Sequence, residues 1–426
     1  MQNQLPMLKD NNKYAGQPIL GQLLNYIPQH IFKLSVNEFN ADAAHNTVST
    51  WDQFTFMFYG ILTGSSTLRE IGKNFALFGD KLKHCEIKAI PARSSISDAN
   101  RKRNAGVFGK LYAELYQYYK KDLTNSYLSS KINGEIDPCK VEIFDSTTVS
   151  LFTDIFKNTG RMPQNGSAKG GIKAFTKITL SERVPNFIYL RSATTNEKLF
   201  LSYLSLSPGT IAVFDKGFHK FSQYLEWINA GIYYVTKPNS NAAFTIIKQN
   251  DITDQAGVGI TMDACIELKY YCKTNKEQRT TQARLIHYKD LMGQEHQFLT
   301  NLTTVKALTI CMLYKNRWTI EPLFKQIKQN FELTYFLSDS SEGIKTQIWI
   351  AMIINLIFTV IHKRIKEAED FATMVKVAAK NMSSYIWFVN FLRYPEIIIK
   401  EVKMSLKKVQ LNLFNQTEGG GKFNTT

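Results

Sequence analysis

The chain is expected to fold as a mixed α/β protein, with helical segments on both sides of a strand-rich centre. Three observations predict this. Residues 14–120 carry apolar side chains at helical spacing, residues 140–300 switch to short β-branched and aromatic runs, and the chain after 301 returns to helical spacing. The length, 426 residues, exceeds the usual size of one hydrophobic core and predicts two or three domains. Apolar residues make up 44%, enough for an ordinary globular interior.

In the first part, Leu20, Leu23, Leu24 and Ile27 share a helix face, as do Phe54, Phe58 and Ile61. The stretch SSISDANRKRNAGVFGKLYAELYQYY reads as a second amphipathic segment. Ser97 or Asp98 is the expected cap at its start, and Arg101, Lys102 and Arg103 follow within about a turn. KVEIFDSTTVSLF, GIKAFTKITL and NFIYLRSA are strand-like, with the glycine-rich loop NGSAKGG after the first and a SERVP turn after the second. A helix near 196–206, the strand TIAVFD, the helix HKFSQYLEWINAG and the strand IYYVTK complete a three-strand meander followed by crossovers. The runs ACIELKYYC, QARLIHYKD and HQFLTNL read as a β insertion. A buried helix is expected over 344–365, and the tail QTEGGGKFNTT is expected to be flexible. The predicted division is a helical N-terminal DNA-binding domain (1–135), the first part of a catalytic core (136–238), a β-rich insertion (239–300), a helical completion of the core (301–410) and the tail (411–426).

Lys and Arg number 52 against 36 Asp and Glu, a net charge of +16. An excess of that size suits a polyanion, because each neutralised phosphate releases counterions. Arg101 and Arg103 are candidates for a DNA backbone, the other reading being an exposed helix face. The five cysteines form no Cys-x-x-Cys pair and show no zinc spacing with the seven histidines, as expected of reduced structural thiols. The segment MQNQLPMLKDNNK lacks the apolar stretch of a signal peptide, and the longest apolar run, residues 348–361, is too short to span a bilayer. A cytoplasmic, nucleoid-associated protein is expected.

The chemistry gathers in YKNRWTIEPLFKQIK. Tyr314, Arg317, Glu321 and Lys328 are offset by three, seven and fourteen residues, so a continuous helix would place them within a stripe roughly 60° wide, with Lys325 and Trp318 at its margin. A solvated ion-pair face has the same spacing. Pro322 lacks an N–H, so the helix either kinks there or begins near Glu321 with Tyr314 and Arg317 on a preceding turn. Two further carboxylates stand out: Asp145 closes the apolar run VEIFD, and Asp215 closes IAVFD, followed by Gly217. Singly, an Asp at a strand end is commonly a turn former or cap. If the crossover makes these strands parallel neighbours, both acids emerge at one end of the sheet. Paired acids repel, and divalent cations relieve the repulsion. Asp plus Asp plus Glu suits Mg²⁺, which prefers oxygen ligands.

With Asp145, Asp215 and Glu321 in order, the chain resembles the DDE transposases of bacterial insertion sequences, most of all the insertion-sequence-four family. That family's hallmark is Tyr, two residues, Arg, three residues, Glu, six residues, Lys, and Tyr314, Arg317, Glu321 and Lys328 meet every spacing. VEIFDSTTV and VFDKGF resemble its two aspartate motifs, and the 105 residues between Asp215 and Glu321 leave room for the insertion its members carry. The resemblance implies a ribonuclease-H-like core. It implies that Asp145, Asp215 and Glu321 are a catalytic, metal-binding triad using Mg²⁺, with Mn²⁺ able to substitute. It further implies that Tyr314, Arg317, Lys325 and Lys328 hold the DNA backbone near the cleaved end. Phe298 is a candidate to stack on an unpaired base, and Trp318 is expected to pack. The implied partners are double-stranded DNA, as element ends and as target, and a second copy of the chain in a synaptic complex; no membrane partner is implied. The expected function is metal-dependent excision and strand transfer by a cut-and-paste route, with hairpin formation implied by the resemblance alone. Alternatives are a DNA nuclease on the same fold and an inactive DNA-binding regulator.

Overall fold

The computed structural model describes residues 16–43, 47–124, 134–150, 171–239, 242–272, 277–331, 336–397, 399–400 and 403–404. The loop NGSAKGG, apart from Gly171, and the tail QTEGGGKFNTT lie outside them. Six helices come first: α1 (Ile19–Leu24), α2 (Gln29–Glu38), α3 (Thr50–Leu62), α4 (Leu68–Ala76), α5 (Arg93–Lys102) and α6 (Gly106–Leu123). The start of α3 is set locally by a capping box. The Ser49 hydroxyl accepts the Asp52 N–H at 3.0 Å, and the Asp52 carboxylate accepts the Ser49 N–H at 3.1 Å.

Two expectations are corrected here. Ser97 and Asp98 do not cap a helix; they lie inside α5, which starts at Arg93 and is separate from α6. The break falls at Arg103, whose backbone is extended (φ −73°, ψ 133°) and whose side chain turns inward, 2% exposed. Its guanidinium donates from Nε to the Ala41 carbonyl (3.0 Å) and from Nη2 to the Val48 carbonyl (2.9 Å), bonds Gln53 and pairs with Asp42. Arg103 therefore ties α5 to the chain before α3, with its guanidinium buried rather than on an exposed helix face. Arg101 is exposed on α5.

The centre is a sheet of nine strands: β1 (Val141–Ser150), β2 (Gly171–Thr179), β3 (Pro185–Ser192), then α7 (Glu197–Phe200), β4 (Ile211–Phe214), α8 (Phe221–Asn229), β5 (Tyr233–Thr236), and the insertion strands β6 (Ala243–Gln249), β7 (Ile260–Cys272), β8 (Glu277–Lys289) and β9 (Glu295–Thr300). Their order is β3-β2-β1-β4-β5-β9-β8-β7-β6. The first five make an antiparallel meander followed by two parallel crossovers, the ribonuclease-H-like arrangement. The insertion lengthens this sheet, because β9 pairs antiparallel with β5. Five helices follow: α9 (Ala307–Asn316), α10 (Ile320–Asn330), α11 (Ser341–Arg364), α12 (Phe371–Lys380) and α13 (Phe388–Arg393).

Alternation along β1 and β4 divides the interior. Val141, Ile143, Ile211 and Val213 join one cluster with α9, α10 and α11, and Phe144, Ala212 and Phe214 join another with α7 and α8. The first cluster runs on without a gap into α1–α6. The 24-residue α11 is apolar nearly all round and is buried along most of its length, packed on α3, α5 and α6, as a core helix must be.

One buried ion pair locks the insertion to the start of α9. Arg284 of β8 donates to both Asp263 oxygens (2.9 and 2.7 Å) and to the carbonyls of Leu302 and Val305 (3.1 and 2.7 Å). Asp263→Ala leaves that guanidinium buried without a counter-charge, at a cost on the order of 3–5 kcal/mol. The thermal midpoint is expected to drop by several degrees, and Asp263→Leu/Arg284→Met to drop less than either single change. An additive double variant would show that the pair is not coupled.

Candidate active site

Phe144 and Phe214 are opposed in the parallel β1–β4 ladder, and their rings stack at 4.8 Å. Asp145 and Asp215 are each one residue further on. Both are thereby turned to the face carrying α9 and α10. Asp145 does not close its strand as expected, because β1 continues to Ser150 alongside β2. What ends there is the neighbour: β4 has four residues and stops at Phe214, which opens the sheet beside Asp145. Asp215 keeps an extended backbone (φ −80°, ψ 160°), so it follows the same alternation.

The signature segment is two helices joined by a tight turn, the second of the two alternatives. Helix α9 ends at Asn316, Arg317–Thr319 form a 3₁₀ turn, and α10 begins at Ile320, so Pro322 falls in a first turn that needs no N–H from it. Tyr314 and Arg317 therefore hang from the end of α9, and Glu321 and Lys328 from α10. The Tyr314 hydroxyl donates to Asp215 Oδ1 at 3.1 Å. Arg317 donates to Asp145 Oδ2 at 2.9 Å and to Glu321 Oε1 at 3.3 Å. Lys328 Nζ donates to Thr147 Oγ1 (2.7 Å) and to the Thr148 carbonyl (3.0 Å) on the extension of β1. The structure thus brings five of the sequence-derived residues to one place, with Lys328 beside them. The adjoining cleft, about 540 Å³, is lined by Asp145, Thr147, Glu321, Lys325 and Lys328.

Burial pushes the Asp145 carboxyl up to about 6. Its hydrogen bond from the Ser146 N–H and the Arg317 charge oppose the shift, while Asp215 and Glu321 add to it. Burial works against the Arg317 charge too, and Tyr314 with the three acids more than restores it. Burial pulls the Lys328 ammonium below the usual lysine range. Among the described residues, no three acidic, histidine or cysteine side chains stand together as a metal cage, since Arg317 lies between Asp145 and Glu321. The cleft lining includes the carboxylates of Asp145 and Glu321, and carboxylate oxygens are the ligands that hard divalent ions prefer.

Two aromatics differ from expectation. Trp318 does not pack in the interior: it is 57% exposed, with the Arg317 guanidinium 5.2 Å from its ring centre. Phe298 is buried behind Tyr314, ring centres 5.0 Å apart. The two border a second cavity of about 490 Å³ with Tyr288, His296, Tyr314 and Lys237. Sequence reasoning also missed Glu197 and Lys173, which lie behind the two aspartates on the other face of the sheet. No motif marks either residue; the β1–β2 register places Lys173 there, and the start of α7 places Glu197.

A ribonuclease-H-like sheet with acids gathered where β4 ends beside β1 defines a phosphoryl-transfer core. Residues 140–356, half of the chain, match the family described as Transposase DDE domain, and the chain belongs to that family. It is a DNA transposase by class, and divalent metal ions are the family's cofactors. Residues 15–88 match a second family, described as Domain of unknown function (DUF4372). A Sinorhizobium fredii protein named as a transposase, y4zB, is 26% identical over 62% of this chain and 69% of its own length. A Synechocystis protein named as a transposase for insertion sequence element IS4SA is 24% identical over 77% of this chain and 86% of its own. Among solved structures, the piggyBac transposase synaptic complex with hairpin DNA aligns over 90% of this chain and 83% of that chain, at 12% identity and a TM-score of 0.42.

If Arg317 offsets the acids, Arg317→Met lowers the thermal midpoint in metal-free buffer at pH 7.5, and adding Asp145→Asn recovers part of the loss. The expected coupling is on the order of 1–3 kcal/mol. No recovery would show that Arg317 is not balancing Asp145.

Proposed function

We propose that the chain excises an insertion sequence and joins it to new DNA by a cut-and-paste route, with Asp145, Asp215 and Glu321 as the catalytic triad. The observation that supports this reading is the approach of three carboxylates, far apart in sequence, to the single Arg317–Tyr314 pair at the open end of the sheet. On this reading the three acids hold Mg²⁺, or Mn²⁺ in its place. Such ions supply positive charge at the attacking and leaving oxygens of an in-line phosphoryl transfer.

The residues of the chain do the rest. The acids orient the site around one phosphodiester. Arg317, released from part of its bridge, and Lys328 set their charges against the non-bridging oxygens as negative charge builds there. Lys325, exposed at the rim, and Tyr314 hold the flanking backbone. In the first step a water oxygen bonds to phosphorus and the P–O3′ bond breaks, freeing a 3′ hydroxyl. In the second that hydroxyl attacks another phosphodiester and displaces its 3′ oxygen. The same triad serves both steps, because they differ only in the nucleophile. The helical part before residue 135, including Arg101, binds element-end DNA, two copies of the chain pair two ends, and the reaction belongs to cytoplasmic, nucleoid DNA. The exposed Trp318 beside its cavity is suited to stacking on an unpaired base, a role better matched there than at buried Phe298.

Asp145→Ala, Asp215→Ala and Glu321→Ala are each expected to remove Mg²⁺-dependent cleavage of a labelled element end while leaving end binding measurable. Retained cleavage in one variant would take that residue out of the mechanism. Incubation with a target plasmid separates transposase from nuclease, since only the former yields joined products. Lys328→Met is expected to weaken binding about equally for all end sequences and to lower the salt slope by about one; an unchanged slope would place Lys328 away from the phosphates.

A further inference from the structure

The β1–β4 ladder ends at Phe144 and Phe214. Beyond that rung no pairing between β1 and β4 holds the two aspartates at a fixed separation, and their like charges push the end of β4 away from β1. The structure carries a second fastening at this point, on the opposite face. Ser146 follows Asp145 and points away from it by strand alternation. Its hydroxyl donates to Glu197 Oε1 at 2.7 Å, while its N–H donates to Asp145 Oδ1 at 2.7 Å. The other Glu197 oxygen lies against Gly217, two residues after Asp215; a Cβ at Gly217 would stand 2.1 Å from Oε2. A carboxylate is thus wedged between the residue after the first acid and the turn after the second. It is held there by Lys173 of β2, whose side chain is 7% exposed and whose Nζ is 3.2 Å from Glu197 Oε1.

We infer that Glu197 is a positioning residue. Anchored by Lys173, it grips Ser146 and the Gly217 turn together and so sets the spacing of Asp145 and Asp215. The inference rests on the reading above that these two acids hold the divalent ion. Gly217 then has a steric reason to lack a side chain: its hydrogen faces the Glu197 carboxylate. Lys173 serves as the fixed counter-charge, because an unpaired Glu197 in this half-buried place would turn out toward water.

The test uses the full chain and a probe independent of DNA. Mn²⁺ binding is measured by titration calorimetry for the wild type, Glu197→Ala, Glu197→Gln, Gly217→Ala and Asp145→Ala, with circular dichroism as a check on folding and element-end cleavage measured in parallel. Glu197→Ala and Gly217→Ala are expected to weaken Mn²⁺ binding and to slow cleavage by roughly 10–100-fold, with end binding kept. Glu197→Gln keeps an acceptor for Ser146 and fills the same space, so it is expected to restore most of both. The inference is overturned if Glu197→Ala lowers the thermal midpoint yet binds Mn²⁺ like the wild type, since its role is then only structural. It is also overturned if the glutamine variant is as impaired as the alanine one. Should Asp145→Ala bind Mn²⁺ undiminished, the triad reading itself fails, and the two failures are told apart by that arm. If Glu197→Ala does not fold, Gly217→Ala and Glu197→Gln decide the matter alone.

Discussion

Parallel pairing of β1 with β4 sets Phe144 against Phe214, and nearly every feature of the site follows from that one rung. Because the rings stack on the α8 side, the next residue of each strand must turn to the α9 side. Because β4 stops there, the sheet opens, Asp145 faces the cleft and Asp215 meets the Tyr314 hydroxyl on the same face. A slip of one residue in this pairing would turn one acid into the aromatic layer. The packing guards against that: Phe218, Trp227 and Phe200 close around Phe144 on one face, and Ile143 and Val213 lie under the C-terminal helices on the other.

The second constraint is charge. Three acids drawn toward one helix junction would repel one another if left unpaired. Arg317 bridges two of them, and Tyr314 donates to the third. Two side chains from the same turn thereby hold a cluster that comes from three distant segments. The turn itself exists because Pro322 is acceptable in the first turn of α10, so that α9 and α10 are separate helices. This break explains how residues spaced for one helical stripe reach acids on different strands.

Much of this was legible in the sequence, for physical reasons that also explain the failures. A charge closing a buried apolar run is conspicuous, so Asp145 and Asp215 stood out. The spacing of Tyr314, Arg317, Glu321 and Lys328 was visible in the sequence, but their division between two helices depends on the 3₁₀ turn at Arg317–Thr319. Arg103 was misread because an arginine after Arg101 and Lys102 looks like the third member of a basic turn. Its burial depends on carbonyls at Ala41 and Val48, which no local pattern reveals. Trp318 was misread for the converse reason: a large aromatic predicts packing, yet the 3₁₀ turn swings it outward. The run KVEIFDSTTVSLF already read as a strand past Asp145; placing a strand end at that acid mistook the end of the apolar run for the end of the pairing with β2.

The insertion joins the core at a seam only two rungs long, Val235 with Thr300 and Thr236 with Leu299. Side chains rivet it: Thr300 donates to the Tyr234 carbonyl, and Asn301 accepts the Tyr234 N–H and donates to the Ile232 carbonyl. Seven residues past Thr300 the chain is already in α9, on its way to Tyr314. An inserted or deleted residue in that short span would screw the helix round and carry Tyr314 and Arg317 off their acids. At the far margin, β6 is bonded on one side only and exposed on both faces, so growth or loss there leaves the catalytic turn where it is. Lineages that remodel this shelf have room to do so outward from β6, and almost none at its hinge with the core.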